Sequence, residues 1–369
     1  MALTRRKMIG LIGGGVVLAA AGGFLTSRRP TKALTPWSSA GNYTEPRMRA
    51  LSFAILAPNP HNRQPWLAEL QSDDMLLIHR DKTLNLPETD PFDRQLTIGM
   101  GCFLELLRMA AADDGYGLET KLFPQGEEGA VASIRFTKGG TIDPLFAHVF
   151  DRHTNREGYA DRAIAPDAQA ALSGFATIKS SPEDVAALRT LTMEAMATEM
   201  TTQHTMMESV DLMRFGKTEI EANPDGISLG GPFLESLMLA GMLSREDQAD
   251  QNSASFKQGF DMMQQGLSAT PAYAVVTSPG NTRLDQINAG RDWVRVHLAA
   301  TGMGLSMQPV SQSLQEYSEM AAHYAQVHEM LAGPNETVQM LGRLGYGPAI
   351  DASPRWPLET RIAHGPRQT

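Results

Sequence analysis

GCFLELLRMAAADDG at residues 101–115 and GRDWVRVHLAATGMG at residues 290–304 are the two stretches on which the fold turns. Gly101 stands eight residues before Met109-Ala110-Ala111, with Gly115 beyond; Gly290 stands eight before Leu298-Ala299-Ala300, with Gly304 beyond. One constant offset relates every position. Both stretches sit in helical patterns, Gln95 to Ala112 and Leu284 to Thr301, and each turns at its glycine into a short apolar run, Leu118 to Phe123 or Leu305 to Gln308. Small residues on a helix let another backbone approach closely, so the repeat predicts two central packing helices meeting across a pseudo-twofold axis. Two unrelated core helices would share the same alanine-rich composition, because alanine is the best helix former.

Around these helices short strands and further helices alternate. Thr31 to Arg47 is rich in Pro, Ser, Thr and Gly and reads as a linker. Met48 to Leu56 forms one or two helical turns, after which Pro58, Pro60 and Pro65 force an irregular loop, because proline fixes φ and disfavours helix in the residue before it. Trp66 to Leu70 and Met75 to His79 pair as strands across Ser72-Asp73-Asp74, Ala130 to Phe136 is a further strand, and Pro144 to Phe150 starts a helix. Later come a long helical region from Pro182 to Phe215, a shorter helix from Ser255 to Gln265 and a strand from Ala272 to Thr277. The fold class is α+β.

The 369 residues carry a formal net charge of -9, and no basic run lies beyond the first segment, so a nucleic-acid partner is not expected and a small-molecule partner is. Cys102 is the only cysteine, which excludes an intrachain disulfide and any multi-cysteine metal or iron–sulfur site. His323 and His328 are five apart and do not share a helical face, so no zinc set is expected. Met193, Met196, Met200, Met206, Met207 and Met213, with His204, have a composition that can bind copper; methionines at helical spacing more often fill a flexible core or lid.

Thr4-Arg5-Arg6-Lys7 leads into an apolar, glycine-rich stretch from Ile9 to Leu25, the pattern of a charged segment before an export signal. The paired Arg5 and Arg6 resemble a twin-arginine signal, which implies the twin-arginine export machinery as a partner and a periplasmic or membrane-anchored location. Ala19-Ala20-Ala21 offers a cleavage site, while Arg28, Arg29 and Lys32 suit retention as a membrane anchor. Residues 1–30 are therefore set apart as signal or anchor.

Two motifs carry chemistry. Ala57-Pro58-Asn59-Pro60-His61-Asn62-Arg63-Gln64-Pro65-Trp66 clusters polar groups among three prolines; the amide of Asn62 offers both a donor and an acceptor, and the prolines hold it before a ligand arrives. A rigid surface turn ending in a buried Trp66 is the plainer reading. Arg152-His153-Thr154-Asn155-Arg156 places cationic donors beside a hydroxyl, as a phosphomonoester requires; a solvated charge cluster is its plainer reading. His61 and His153 suit hydrogen bonding to a ligand or a structural place equally.

The first motif resembles the nitroreductase-family loop of proline, two small residues, asparagine, any residue, glutamine, proline and tryptophan. The second resembles that family's phosphate-binding start. The likeness extends over the two glycine-flanked helices to Leu341-Gly342-Arg343-Leu344-Gly345-Tyr346-Gly347 and Pro354-Arg355-Trp356-Pro357, and is closest to the Acg-type branch, in which two nitroreductase-like halves are fused. The resemblance implies two halves, 31–150 and 151–369, packed as an intrachain pseudo-dimer around flavin mononucleotide (FMN). In that reading Arg152, His153, Thr154, Arg156 and Arg355 hold the phosphate, and Pro58, Asn59, Pro60 and Asn62 line the ring. A backbone N–H of Asp225 or Gly226, in the turn Asn223-Pro224-Asp225-Gly226-Ile227, stands near flavin N5; a plain turn is the alternative. Trp356 departs from the second arginine usual in the family's tail.

No second proline–asparagine loop is present, and Arg47-Met48-Arg49 is a poor copy of the phosphate motif, so one flavin per chain is expected. The implied activity is an FMN-dependent oxidoreductase passing two electrons through N5 to a nitroaromatic or quinone-like acceptor, with no side chain as nucleophile. An exported protein that sequesters or stores FMN without turnover is the alternative. A fused pseudo-dimer needs no partner to complete its site, and a monomer is expected.

Overall fold

The structure, a computed structural model, describes residues 27–363. All but the last four positions of the expected signal segment lie outside the described residues.

The stretch read as a linker is instead helix α1 (Thr31–Ser39), followed by α2 (Pro46–Ala54). No side chain caps the start of α1. Its order comes from the distant C-terminal tail: Trp37 Nε1 donates to Ser353 O at 2.8 Å, and Arg355 N donates to Ala33 O at 2.8 Å. Tertiary contact overrides a composition that says loop. Helix α2 starts conventionally, with Pro46 in its first turn and the Glu45 carboxylate accepting from Met48 N at 2.8 Å.

Strands β1 (Trp66–Leu70) and β2 (Met75–Arg80) form the expected hairpin. Helix α3 (Arg94–Asp113) follows, then β3 (Tyr116–Leu122) and β4 (Ala132–Lys138), giving an antiparallel sheet in the order β1-β2-β4-β3. The helix expected from Pro144 is a 3-10 turn, Pro144–His148. Beyond it lie α4 (Pro166–Leu172) and β5 (Thr177–Lys179).

The long helical region breaks at Thr202 into α5 (Pro182–Thr201) and α6 (Gln203–Leu212), and its last residues are β6 (Met213–Phe215). Helix α7 (Gly216–Ala222) leads to β7 (Ile227–Leu229), which pairs in parallel with β6. Then come α8 (Pro232–Leu239), α9 (Arg245–Ala249), α10 (Ala254–Ser268), β8 (Ala272–Ser278), α11 (Arg283–Gly302), β9 (Ser306–Pro309), α12 (Ala321–Leu331) and β10 (Thr337–Gly345). The second antiparallel sheet has the order β5-β8-β10-β9. Each sheet thus places its fourth strand between its second and third, and each carries its long helix between the second and third strands in sequence.

Helices α3 and α11 cross at the paired glycines. A Cβ on Gly101 would lie 2.1 Å from Ile287 O, and one on Gly290 would lie 2.0 Å from Ile98 O. Each virtual Cβ also falls within about 3 Å of the other glycine's Cα (3.0 and 2.9 Å). Cys102 Sγ donates to Gly290 O at 3.1 Å, sealing the same contact. One core runs through it, from Trp66 stacked on Phe103 to Val294, Leu298 and Leu344. A second core holds Met196, Met200 and Met206 against Leu188, Val275 and Leu341, so these methionines fill an interior.

The crossing yields a direct test. Gly290→Ala drives a methyl into a backbone carbonyl that cannot move independently, and the expected loss is ~1–3 kcal/mol, as for other overpacked cores. Gly174→Ala, where nothing lies within 4 Å of the added carbon, should stay within about 0.5 kcal/mol of the parent. Urea unfolding of both variants measures the difference.

Candidate functional site

The loop between α2 and β1 rests on the first turns of α3. At Gly99 an added Cβ would meet Asn59 Cβ at 3.1 Å and Pro60 Cδ at 3.3 Å. His61, Asn62 and Gln64 all have left-handed backbones, with φ of 45°, 52° and 52°. Each such non-glycine residue costs of order 1–3 kcal/mol and persists only where its surroundings fix it. Here they do. Asn59 Oδ1 accepts from Gln64 N at 2.7 Å, and Asn59 Nδ2 donates to Ala57 O at 3.1 Å. The fully buried Gln64 donates from Nε2 to Pro224 O at 2.7 Å and accepts at Oε1 from Trp356 N at 2.9 Å. Arg63 and Arg214 share the buried carboxylate of Asp225. The loop, the 223–226 turn and the C-terminal tail are one hydrogen-bonded unit.

Asn62 belongs to that unit. Its Nδ2 donates to Pro354 O at 3.0 Å and its Oδ1 accepts from Arg355 Nη1 at 2.7 Å, so the amide fastens the loop to the tail. At the turn, Gly226 has φ +75°, and a Cβ there would lie 2.2 Å from Leu212 O. Only glycine fits this position.

The basic motif meets the loop from the other side. Arg152 Nη2 donates to Leu56 O at 3.1 Å. Arg355 donates to Ile55 O at 3.0 Å, Leu56 O at 3.1 Å and Ala57 O at 3.2 Å. These are carbonyls at the end of α2, where the helix dipole favours cations. Arg355 therefore touches both Asn62 and the carbonyl that Arg152 uses. Asn155 is the motif's anchor: its N–H donates to Met307 O at 3.0 Å on β9, and its Nδ2 donates to Pro348 O at 2.7 Å. Thr154 and Arg156, on either side of this anchor, make no side-chain hydrogen bond within the described chain.

Where the two sides meet, the positive charges of Arg152 and Arg355 lie close enough to repel each other. Arg152 and Arg355 are buried (2% and 3% exposed), and neither has a carboxylate partner among the described residues. Burial lowers the pKa of Arg355 to about 9, with repulsion from Arg152 adding to it, and burial lowers that of Arg152 to about 10. Both remain protonated at neutral pH. His153 sits edge-on to Trp37, with ring centroids 5.0 Å apart, and is lowered to about 4 by burial and then by Arg152 and Arg355. His61 is lowered to about 4 by burial and then by Arg156 and Arg63, which places Arg156 within electrostatic reach of the loop. Arg156 itself is exposed, and its pKa is lowered by surrounding protein and then by the neighbouring Arg343.

Several polar atoms around the site are left over, Trp66 Nε1, Trp356 Nε1 and His297 Nδ1 among them. Arg152 Nε and His153 Nδ1 are also buried with no hydrogen-bond partner. Each such group calls for an explanation, and the polar atoms of a ligand are one. Arg47 and Arg49, by contrast, are paired, with Glu45 at 2.7 Å and with Asp113 at 2.9 Å. A separate recess of about 230 Å³ has its cations paired as well, Arg80 with Asp93, Lys82 with Glu128 and Arg283 with Glu127.

All eleven residues singled out in the sequence thus lie in four segments that the structure brings together. Gln64, Arg63 and Trp37 also belong there. Gln64 and Arg63 stand inside the quoted motif, whereas Trp37 lay in the segment read as linker and only its aromatic side chain could have drawn notice.

The histidines give a pH test. A histidine whose folded pKa lies below its unfolded value near 6.5 binds fewer protons folded than unfolded, so stability declines as pH falls through that window. For His153 the window runs from about 6.5 to about 4. Between those limits His153→Gln should lose stability with falling pH less steeply than the parent, as measured by urea unfolding at intervals of pH. Parallel slopes would show that His153 is not held neutral.

No family model matches the chain. Two curated proteins of Mycobacterium tuberculosis, from strains CDC 1551 / Oshkosh and ATCC 25618 / H37Rv, each provisionally named an NAD(P)H nitroreductase, are 25% identical to it over 331 residues, covering 84% of this chain and 88% of theirs. Among solved structures, an FMN-dependent nitroreductase from Mycobacterium smegmatis in complex with NADPH is similar at a TM-score of 0.37 and 16% identity, over 58% of this chain and 95% of that one.

Proposed function

We propose that the chain is an FMN-binding oxidoreductase of nitroreductase type, built as two fused nitroreductase-like halves, 31–150 and 151–369, around one flavin. The observation that carries this reading is the pair of buried arginines, Arg152 and Arg355, with no carboxylate between them and with Arg152 Nε and His153 Nδ1 unpaired. A phosphate monoester supplies what they lack: compact negative charge and several acceptor oxygens. The matching strand order of the two sheets supports the fused halves, and the similarity to the mycobacterial proteins supports the chemistry. The sequence likeness of the motifs favours the Acg-type branch.

In this reading Arg152, His153, Thr154, Arg156 and Arg355 hold the phosphate. Pro58, Asn59, Pro60 and Asn62 form the wall along the ring, and the Asp225-Gly226 backbone faces its reactive edge. Bound FMN supplies two-electron transfer through N5 to a nitroaromatic or quinone-like acceptor. The protein binds, orients and partly desolvates it. Neutral His153 donates from one ring nitrogen without adding charge, and the Gln64 clamp keeps the loop in its left-handed conformation while ligands exchange. The paired Arg47 and Arg49 favour a single flavin per chain. Twin-arginine export, a periplasmic or anchored location and a monomeric state complete the proposal, resting on the Arg5-Arg6 segment and on a site that one chain completes.

Purified protein should be yellow, with one FMN per chain by absorbance. A colourless preparation that takes up no added FMN would refute the reading. Arg156→Ala should weaken FMN by ~1.5–3 kcal/mol, roughly 10- to 150-fold, while leaving riboflavin, which has no phosphate, unchanged. Addition of NADH or NADPH separates turnover from storage: bleaching of the flavin supports the oxidoreductase, and an inert flavin supports sequestration.

A further inference from the structure

Helix α8, Pro232–Leu239, is built inside out. Its sequence is PFLESLML, and its one buried residue is Glu235. The exposed positions are Phe233, Ser236, Leu239 and Ala240, which recur at helical spacing and form one face without a charge. Phe233 is 72% exposed and Leu239 is 73% exposed; Met242, just beyond the helix, is 63% exposed. Helices that face water carry the opposite arrangement, and a clustered apolar surface marks a place of contact. Glu235 faces inward because its carboxylate accepts from Lys217 N at 2.9 Å and from Arg28 Nη1 at 3.2 Å.

That second contact fixes where the chain enters. Lys217 Nζ also donates to Ser27 O at 3.0 Å, so the first described residues are held against α7 and α8. Immediately before them in sequence lies the apolar stretch from Ile9 to Leu25. Two residues, Thr26 and Ser27, lie between Leu25 and Arg28, three chain steps that reach at most ~10 Å, so α8 cannot stand far from whatever surrounds Leu25. Lys32, one turn further on, is exposed and its ammonium has no partner within the described chain.

We propose that α8 lies on a lipid bilayer, with Phe233, Leu239 and Met242 entering the acyl boundary while residues 9–25 hold the chain to the same membrane. The face has the size and apolar character of an interfacial helix, whose side chains reach ~5–10 Å into the boundary. Two turns of helix are too small for a stable interface with a second copy, which takes about 800 Å² from each partner. This inference rests on the anchor reading of the N-terminus.

Cys102 makes the test clean. It is buried, and burial pushes its thiol up to about 12, so it resists labelling. Leu239→Cys in the full chain introduces one reactive thiol for an environment-sensitive fluorophore; Leu284→Cys, at an exposed position beginning α11, serves as the reference. The chain is reconstituted in phosphatidylcholine–phosphatidylglycerol vesicles containing nitroxide-labelled lipid. Nitroxide lipid should quench the label at 239 at least twofold more than the label at 284. Vesicle-bound protein with equal quenching at both positions overturns the proposal and spares the anchor; failure to associate with vesicles overturns both. A blue shift of the 239 label without vesicles also overturns it, assigning the face to a second copy if the shift grows with protein concentration, or to residues 1–26 if it disappears on their removal.

Discussion

The contact between Gly101 and Gly290 is the constraint from which the remaining geometry follows. Two glycines, with no Cβ on either helix, let the backbones of α3 and α11 meet at a separation that any side chain would prevent. Each half of the candidate site is referenced to one of these helices. The loop of Pro58 to Asn62 lies on α3 through Gly99. The basic motif is tied to α11, where His297 Nε2 shares a hydrogen bond with His153 O at 3.2 Å, and to β9 through Asn155. The spacing of the loop and the basic motif is therefore set by how closely the helices approach. Packed interiors have discrete arrangements, so this is a stiff ruler.

Charge placement separates the site from the rest of the interior. Buried Arg47, Arg63 and Arg94 each face a carboxylate, from Glu45, Asp225 and Glu316. Arg343 has none but is satisfied throughout, donating to Gln308, Gly266 O and Glu157 O and lying over the Tyr159 ring. Arg355 also lacks a carboxylate, with its donors on the carbonyls of Ile55, Leu56, Ala57 and Pro354 and on Asn62 Oδ1, whereas Arg152 donates to Leu56 O and its Nε has nothing. The carbonyls of Ile55, Leu56 and Ala57, just past the C-terminal end of α2, make their burial tolerable by supplying partial negative charge. They do not neutralise the two arginines.

What could be read from the sequence depended on whether the cause was local. The β1–β2 hairpin and helices α3 and α11 follow from periodicity and turn residues, and their bounds were legible to within a residue or two. Strand β10 was not: Gln339, Gly342, Arg343 and Gly345 interrupt any apolar pattern, yet from Val338 onward the strand is buried. Its glycine at 342 is there because a Cβ would lie 2.4 Å from the Trp293 ring, a reason written in another helix. Helix α1 was hidden in the same way, ordered by a tail more than three hundred residues away in sequence. At the site, residue types announced their chemistry while their orientations did not. Asn62 reads as a ligand amide, but Pro354 and Arg355 engage it.

The strained loop shows why orientation required the whole chain. Within the loop, left-handed His61, Asn62 and Gln64 have the Asn59 amide on Gln64 N to hold them. Gln64 fixes them from outside. Its side chain reaches Pro224 O in the turn before β7 and Trp356 N in the tail, residues from the middle and the end of the chain. Arg63 repeats the link through Asp225, and Asn62 through Arg355. Such long-range contacts are entropically expensive to close and so depend on the two sheets already being docked. The loop therefore takes its functional shape only as a consequence of the finished fold. A loop fixed this way has its conformation set before any ligand arrives.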